Sequence, residues 1–349
     1  MPIEMRATKM IQTRQMAGFS KYISAPSISR SQNYRADKVL IIGLGQLGLP
    51  VAQYVKQRGF NVNGYDVNPE AVDRAKRVAS IGEAPDFSGY DVYIICVSTH
   101  KQDDLFSPQI DGVISITRRL ADQAKDGALV SIESTIPRGT SRRLFEMLGH
   151  RLHVAHVPHR WYALEENVHG VNQLRVAGGV QECCLTAAMD FYTGKSVAGG
   201  TCPSNLGPGT NETVKVSSRS LSLEIPLHPV QEIEVAEITK VAENAHRYLQ
   251  IAFAEDLYLY CEANNLDFAQ LRLALNTKWN VEILEPRDGI GGHCLPKDTK
   301  MFLGSSTAIK SKILTSAMEV DRDFRYHKKN RNLLLSSEAI LKDTRINHL

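Results

Sequence analysis

The chain of 349 residues has no apolar run long enough to cross a bilayer. Its best candidate, VLIIGLGQLGLPVAQYV, is broken by glycines, glutamines and a proline. It has no marked excess of either charge. Forty-one Lys and Arg oppose 38 Asp and Glu, and a formal net charge of +3 argues against nucleic acid or an anionic membrane as partner. The densest basic stretch, RDFRYHKKNR at 322–331, reads as a solvated helix face. Cysteine is sparse. Cys96, Cys183, Cys184, Cys202, Cys261 and Cys294 form no C-x-x-C pair, and the adjacent Cys183 and Cys184 suit neither a mutual disulfide nor a zinc knuckle. This usage predicts free thiols in a reducing, cytoplasmic compartment and no metal centre. No internal repeat is visible. Residues 1–35 are poor in acids and lack the apolar core of a secretory signal, so they read as a disordered tail. The sequon N-E-T at 211–213 is discounted on the cysteine usage.

What is present is alternation. KVLIIG (38–43), NVNGYD (61–66), DVYIICVS (91–98), ALVSIES (128–134) and LHVAHVP (152–158) read as buried strands, and amphipathic helical stretches separate them. Strands alternating with helices predict a doubly wound parallel sheet of Rossmann type over residues 36–198, closed by LRVAGG and one more helix. Residues 199–229 are rich in Gly, Pro, Ser, Thr and Asn and read as an exposed loop. An all-helical domain is expected over 230–335, led by one long helix from about residue 231 to 263. In that helix Ile238, Val241, Ala245, Leu249 and Ala252 recur every three or four residues. A helix or tail over 336–349 ends the chain.

Three short patterns carry chemistry. In GLGQLG, Gly43, Gly45 and Gly48 lie between a strand and a helix. The first glycine permits the turn, the second lets a pyrophosphate approach the backbone, and the third lets helix and strand pack closely. Asp66 ends the second strand, where a carboxylate binds ribose hydroxyls and repels a 2′-phosphate, so NAD is expected rather than NADP. In AEITKVAENAHRYLQ, Lys240, Asn244 and Arg247 fall at i, i+4 and i+7, on one helix face. Lysine and asparagine one turn apart can both donate to a developing oxyanion. In GIGGHCLPKDTK, glycines lead to a single thiol, Cys294, followed by Lys297 and Asp298. Thiolate chemistry needs such access and neighbouring charge.

In this order the three patterns resemble the UDP-glucose/GDP-mannose dehydrogenase family of nucleotide-sugar 6-dehydrogenases. CVST (96–99) resembles the family's C-V-P-T, and ESTIPRGT (133–140) is similar to its S-T-x-P-x-G-T. The resemblance implies oxidation of a UDP-sugar C6 alcohol to a uronic acid with two NAD, through a thioester on Cys294. It implies Lys240 and Asn244 as oxyanion donors, and Thr135 and Asp298 as residues that hold or activate water. Cofactor contacts are implied at Gln46, Leu47, Val97, Thr99, Glu133 and Ser134, beside the fingerprint glycines and Asp66. Gly291, Gly292, Lys297, Arg160 and Arg247 are the implied substrate contacts. VEILEPRDGIGGHC resembles V-N-I-L-Q-P-G-P-G-V-G-G-H-C of the UDP-N-acetylhexosamine branch, Arg247 matches the arginine of E-N-x-x-R, and Arg160 that of P-E-R. PKDTK is closer to the UDP-glucose branch. The family's long helix implies a homodimer.

Two departures stand out. His159 occupies the place of the family's catalytic glutamate, where it can act as base or mark a weakened hydrolysis step. Members usually carry a further α/β domain that binds the nucleotide, and Leu349 falls roughly where it is expected to begin. A site built otherwise, a partner that supplies it, or truncation are the three expectations. Two other readings compete: a two-electron dehydrogenase of the 6-phosphogluconate or 3-hydroxyacid kind, and a non-catalytic NAD-binding subunit.

Overall fold

The computed structural model describes residues 36–101, 104, 107–161, 165, 169–194, 221–306, 308 and 311–346, with side chains of the last helix to Arg331. The tail at 1–35, Cys202, the sequon and most of the loop expected at 199–229 lie outside the described residues.

Strands β1 (Lys38–Ile42), β2 (Asn61–Tyr65), β3 (Gly82–Glu83), β4 (Val92–Ile95), β5 (Leu129–Ile132), β6 (His153–His156), β7 (Arg175–Gly179) and β8 (Leu227–Val230) form one sheet. Its order is β3-β2-β1-β4-β5-β6-β7-β8. Helices α1 (Gly48–Gln57), α2 (Pro69–Ala79), α3 (Asp111–Gln123), α4 (Thr140–Met147) and α5 (Glu182–Thr193) are interleaved with the strands. Alternation sorts the side chains. Val39, Ile41, Val92 and Ile94 pack with Val51 and Val55 of α1 on one face, whereas Leu40, Ile42, Tyr93 and Ile95 pack with Val113, Leu120 and Leu144 on the other. The order reverses between β1 and β4, which opens a crevice at their carboxyl ends.

Two expectations are corrected here. The sheet is not wholly parallel: β7 runs antiparallel to β6, because no described crossover helix carries the chain across a face between them. The loop expected through residue 229 ends early. Leu223 and Ile225 are buried in the core, and Leu227–Val230 pairs with β7 as a parallel outer strand. Pro229 is tolerated there because an edge strand leaves one side of its ladder unpaired.

The helical part comprises α6 (Ile233–Ala263), α7 (Phe268–Leu275), α8 (Cys294–Gly304) and α9 (Lys312–Ile346). The 31 residues of α6 span about 46 Å, and α8 and α9 pack along it. The last helix runs through the boundary expected at residue 335 as one element. Two carboxylates at the start of α6 fasten it to the sheet domain. Glu234 pairs with Arg142. The buried Glu237 accepts the backbone N–H groups of Gly139 at 2.5 Å and Ser141 at 2.8 Å, satisfying donors at the start of α4. Burial raises its carboxyl pKa, and those donors oppose the rise.

Candidate active site

The fingerprint glycines are sterically dictated. Gly43 has φ +95°, and a Cβ there would lie 2.6 Å from the Cys96 carbonyl oxygen; one on Gly48 would lie 1.7 Å from the carbonyl oxygen of Gly43. A Cβ on Gly45 would meet nothing within 4 Å, so open space faces the start of α1. Gln46 is exposed and Leu47 half-buried on the same turn. Asp66 stands beside it, accepting from the Leu44 N–H at 2.7 Å and the Asn68 N–H at 2.8 Å. A carboxylate has about four lone-pair sites, so two such bonds leave capacity for ribose hydroxyls. The donors, the open space and the acid fit a dinucleotide.

The β4 and β5 ends complete this rim. Ser134 Oγ donates to the Val97 carbonyl at 2.7 Å. Thr99 is buried and accepts a hydrogen bond from Lys297 Nζ at 3.1 Å. Lys297 belongs to α8, so this bond brings the two parts of the chain together at the carboxyl end of the sheet.

Cys294 was expected inside a glycine loop. It is instead the first residue of α8, separated only by His293 from the exposed Gly291 and Gly292. Cys294 is exposed, yet desolvation of its thiol and the Asp298 charge push its pKa up, against Lys297 and Lys240. The start of a helix also favours a thiolate. Asp298 is buried, with Oδ1 2.7 Å from Lys297 Nζ and its other oxygen accepting from Asn244 Nδ2. The Lys240 ammonium is pushed down in pKa by burial, opposed by Asp298, Glu243 and Cys294. Cys294, Lys240, Asn244, Lys297 and Asp298 therefore form one cluster. A thiol among fixed donors is suited to covalent addition at a carbonyl.

Other expected site residues are placed differently. Glu133, expected at the cofactor, is buried and committed elsewhere. It lies 2.9 Å from Arg175 Nη1 and 2.7 Å from His159 Nε2, and accepts from the Tyr192 hydroxyl. Burial would raise its pKa, but Arg175, His159 and Tyr192 hold it down at about 2. His159 is buried too; desolvation and Arg175 push its pKa down to about 4, so it is neutral at pH 7. Lys240 contributes to that shift, which puts His159 within electrostatic reach of the cysteine cluster. Thr135 is half-buried and makes no hydrogen bond to the cluster among the described residues. Arg160 pairs with Glu243 of α6. Arg247 does not join Lys240 and Asn244: it is exposed and reaches Gln250 of its own helix at 3.4 Å. Sequence reasoning missed Arg175, although an arginine inside the strand pattern LRVAGG is a signal, since a buried cation needs a buried anion.

Residues 38–156 match the NAD binding domain of 6-phosphogluconate dehydrogenase, and residues 234–323 match the UDP-glucose/GDP-mannose dehydrogenase family, central domain. A UDP-N-acetyl-D-mannosamine dehydrogenase of Pyrococcus horikoshii is 29% identical over 299 residues, covering 77% of this chain and 64% of the relative. The enzyme of the same name from Escherichia coli K12 is 28% identical, covering 81% and 68%. The solved structure of UDP-D-ManNAc dehydrogenase from Pyrococcus horikoshii superposes with a TM-score of 0.67 at 26% identity, covering 86% of this chain and 72% of that one. The chain spans about two thirds of the length of the curated relatives it matches. Both halves of the site thus fall within matched regions, that of the sheet domain within the first family model and that of the helical part within the second.

Proposed function

We propose that this protein oxidises the C6 alcohol of a UDP-sugar, of the N-acetylhexosamine class, to a uronic acid with NAD. The observation that carries the reading is the thiol at the head of α8, set among Lys240, Asn244, Lys297 and Asp298. Bound NAD would be held by the turn at Gly43–Gly48 and by Asp66, and supplies the hydride acceptor, one molecule for each of two oxidations. Cys294 sulfur adds to the C6 aldehyde, its proton passing to the new alkoxide, and gives a thiohemiacetal. Oxidation of that adduct leaves a thioester, which water cleaves to the carboxylate and the free thiol. Lys240 and Asn244 donate to the C6 oxygen as charge develops, and Asp298 fixes the Asn244 amide. Thr135 and Asp298 hold the water, and neutral His159 accepts its proton. The test is NADH formation over a panel of UDP- and GDP-sugars; activity with none of them overturns the reading. A two-electron hydroxyacid dehydrogenase would use the fingerprint, Lys240 and Asn244, but gives Cys294 no role.

Asp66 sets the cofactor preference in this account. Asp66→Asn is expected to narrow the preference for NAD over NADP by roughly 10- to 100-fold, the equivalent of about 1.5–3 kcal/mol of charged hydrogen bonding. Titration of both cofactors checks this, and equal affinity in the unaltered protein would remove the role of Asp66.

The chain is proposed to act as a homodimer through the outer side of α6 and α7. Phe253, Tyr260 and Leu273 are more than half exposed, Trp279 just beyond is 92% exposed, and α7 buries none of its residues. Apolar side chains so exposed on neighbouring elements favour a covering surface. Light scattering is expected to give twice the chain mass at micromolar concentration; a monomer there would contradict the dimer.

A further inference from the structure

Beneath the turn that leads to Cys294 lies a set of charged groups with no part in the chemistry above. Glu255 of α6 is fully buried, and as a carboxylate neither of its oxygens finds a hydrogen-bond donor. Its acidic neighbour is Asp321 of α9, itself an acceptor. Asp321 is already engaged: it accepts the Ile290 N–H at 2.9 Å, Arg325 Nε at 3.0 and 3.1 Å, and the Tyr248 hydroxyl at 3.4 Å. Arg325 in turn donates to the Ile290 carbonyl and packs where a Cβ on Gly289 would fall, at 3.0 Å; Gly289 has φ +99°. Both backbone groups of Ile290, four residues before the thiol, are thus held by α9 side chains.

We propose that Glu255 and Asp321 share one proton, and that this shared proton keeps Asp321 and Arg325 clamped on Ile290, making Glu255 and Asp321 positioning residues for the Gly289–Cys294 turn. Two neighbouring buried carboxyls cannot both ionise cheaply. A proton on Glu255 turns an acceptor–acceptor contact into an O–H···O bond to Asp321, which supplies the donor that Glu255 otherwise lacks. The groups facing Glu255 are Tyr248 on its own helix and Asp321 and Arg325 on α9. Burial first, then Asp321, raises the Glu255 pKa to about 8, with Arg325 opposing. A folded-state pKa above the ordinary 4.5 stabilises the fold fully below pH 4.5, and the stabilisation is lost as pH rises through 8. Above that point two carboxylates repel and the clamp loosens.

The importance of the turn to catalysis rests on the proposed role of Cys294, but the readouts chosen here do not require activity. Melting temperature and hydrogen exchange at the Ile290 amide, corrected for intrinsic exchange, are measured from pH 5 to pH 9 in the full chain and in Glu255→Gln. The glutamine can still donate to Asp321 but cannot ionise. The wild type is expected to lose melting temperature relative to the variant between pH 5 and pH 8, and over the same range to lose Ile290 protection by up to about tenfold per pH unit, levelling off above 8, whereas the variant stays nearly flat throughout. Superimposable profiles would overturn the proposal, because a packing role alone moves neither with pH. Should the variant fail to fold, wild-type Ile290 protection decides alone: a fall between pH 5 and pH 8 that levels off above 8 supports the shared proton, and a flat profile overturns it.

Discussion

Cys294→Ser is expected to lower uronic acid formation at least about a thousandfold while NAD affinity is unchanged. The fingerprint turn lies in the sheet domain and makes no use of the thiol, so cofactor binding survives. In the proposed mechanism the first oxidation draws on Lys240 and Asn244, which the substitution leaves in place. The second needs a nucleophile that can add to an aldehyde and later leave from an acyl carbon. A serine hydroxyl is far less ionised near neutral pH than a thiol, and an ester clears more slowly than a thioester. Aldehyde-level product, detected by a trapping amine or by mass, should therefore persist. Loss of NAD binding in the variant would show that the substitution had damaged the fold rather than the chemistry.

The second large effect is on stability. Arg175 is fully buried, pairs with Glu133 and donates to the Val171 carbonyl at 2.7 Å. Arg175→Met leaves the Glu133 carboxylate buried beside a neutral histidine. Removing one partner of a buried pair costs about 3–5 kcal/mol, which corresponds to a fall of roughly 6–20 °C in melting temperature. The double variant Arg175→Met with Glu133→Gln should recover part of the loss, because no unpaired charge remains. The pH dependence follows from the shifts. The Glu133 pKa is lowered from 4.5 to about 2, so its stabilisation is full above pH 4.5 and is lost as pH falls through 2. His159 is lowered from 6.5 to about 4, so stability also falls as pH drops from 6.5 towards 4. The deficit of Arg175→Met should thus be largest near neutral pH and shrink in acid. Denaturant unfolding at several pH values checks this, and an unchanged midpoint would mean the pair contributes nothing.

What could be read in the sequence was local. Gly43, Gly45, Gly48 and Asp66 are constrained by one turn and the strand beside it. Lys240 and Asn244 share a face because helical spacing dictates it. Cys294, Lys297 and Asp298 are neighbours in sequence as in space. What could not be read joins distant residues: Glu237 reaches Gly139 across 98 positions, and Glu133, His159 and Arg175 meet only once β5, β6 and β7 lie side by side. Local composition also misled in two places. The proline and histidine in LHPV hid an outer strand, and Gly291, Gly292 and Pro296 hid the start of α8. Pro296 falls in the first turn of that helix, where a missing N–H costs little.

The most direct test of the central claim is to count NADH formed per UDP-N-acetylhexosamine consumed, in the unaltered protein and in Cys294→Ser. The thioester account predicts two per sugar in the first, and loss of the second equivalent, with a covalent acyl adduct trappable on Cys294 of the unaltered protein. One NADH per sugar in both proteins, with no adduct, would contradict it.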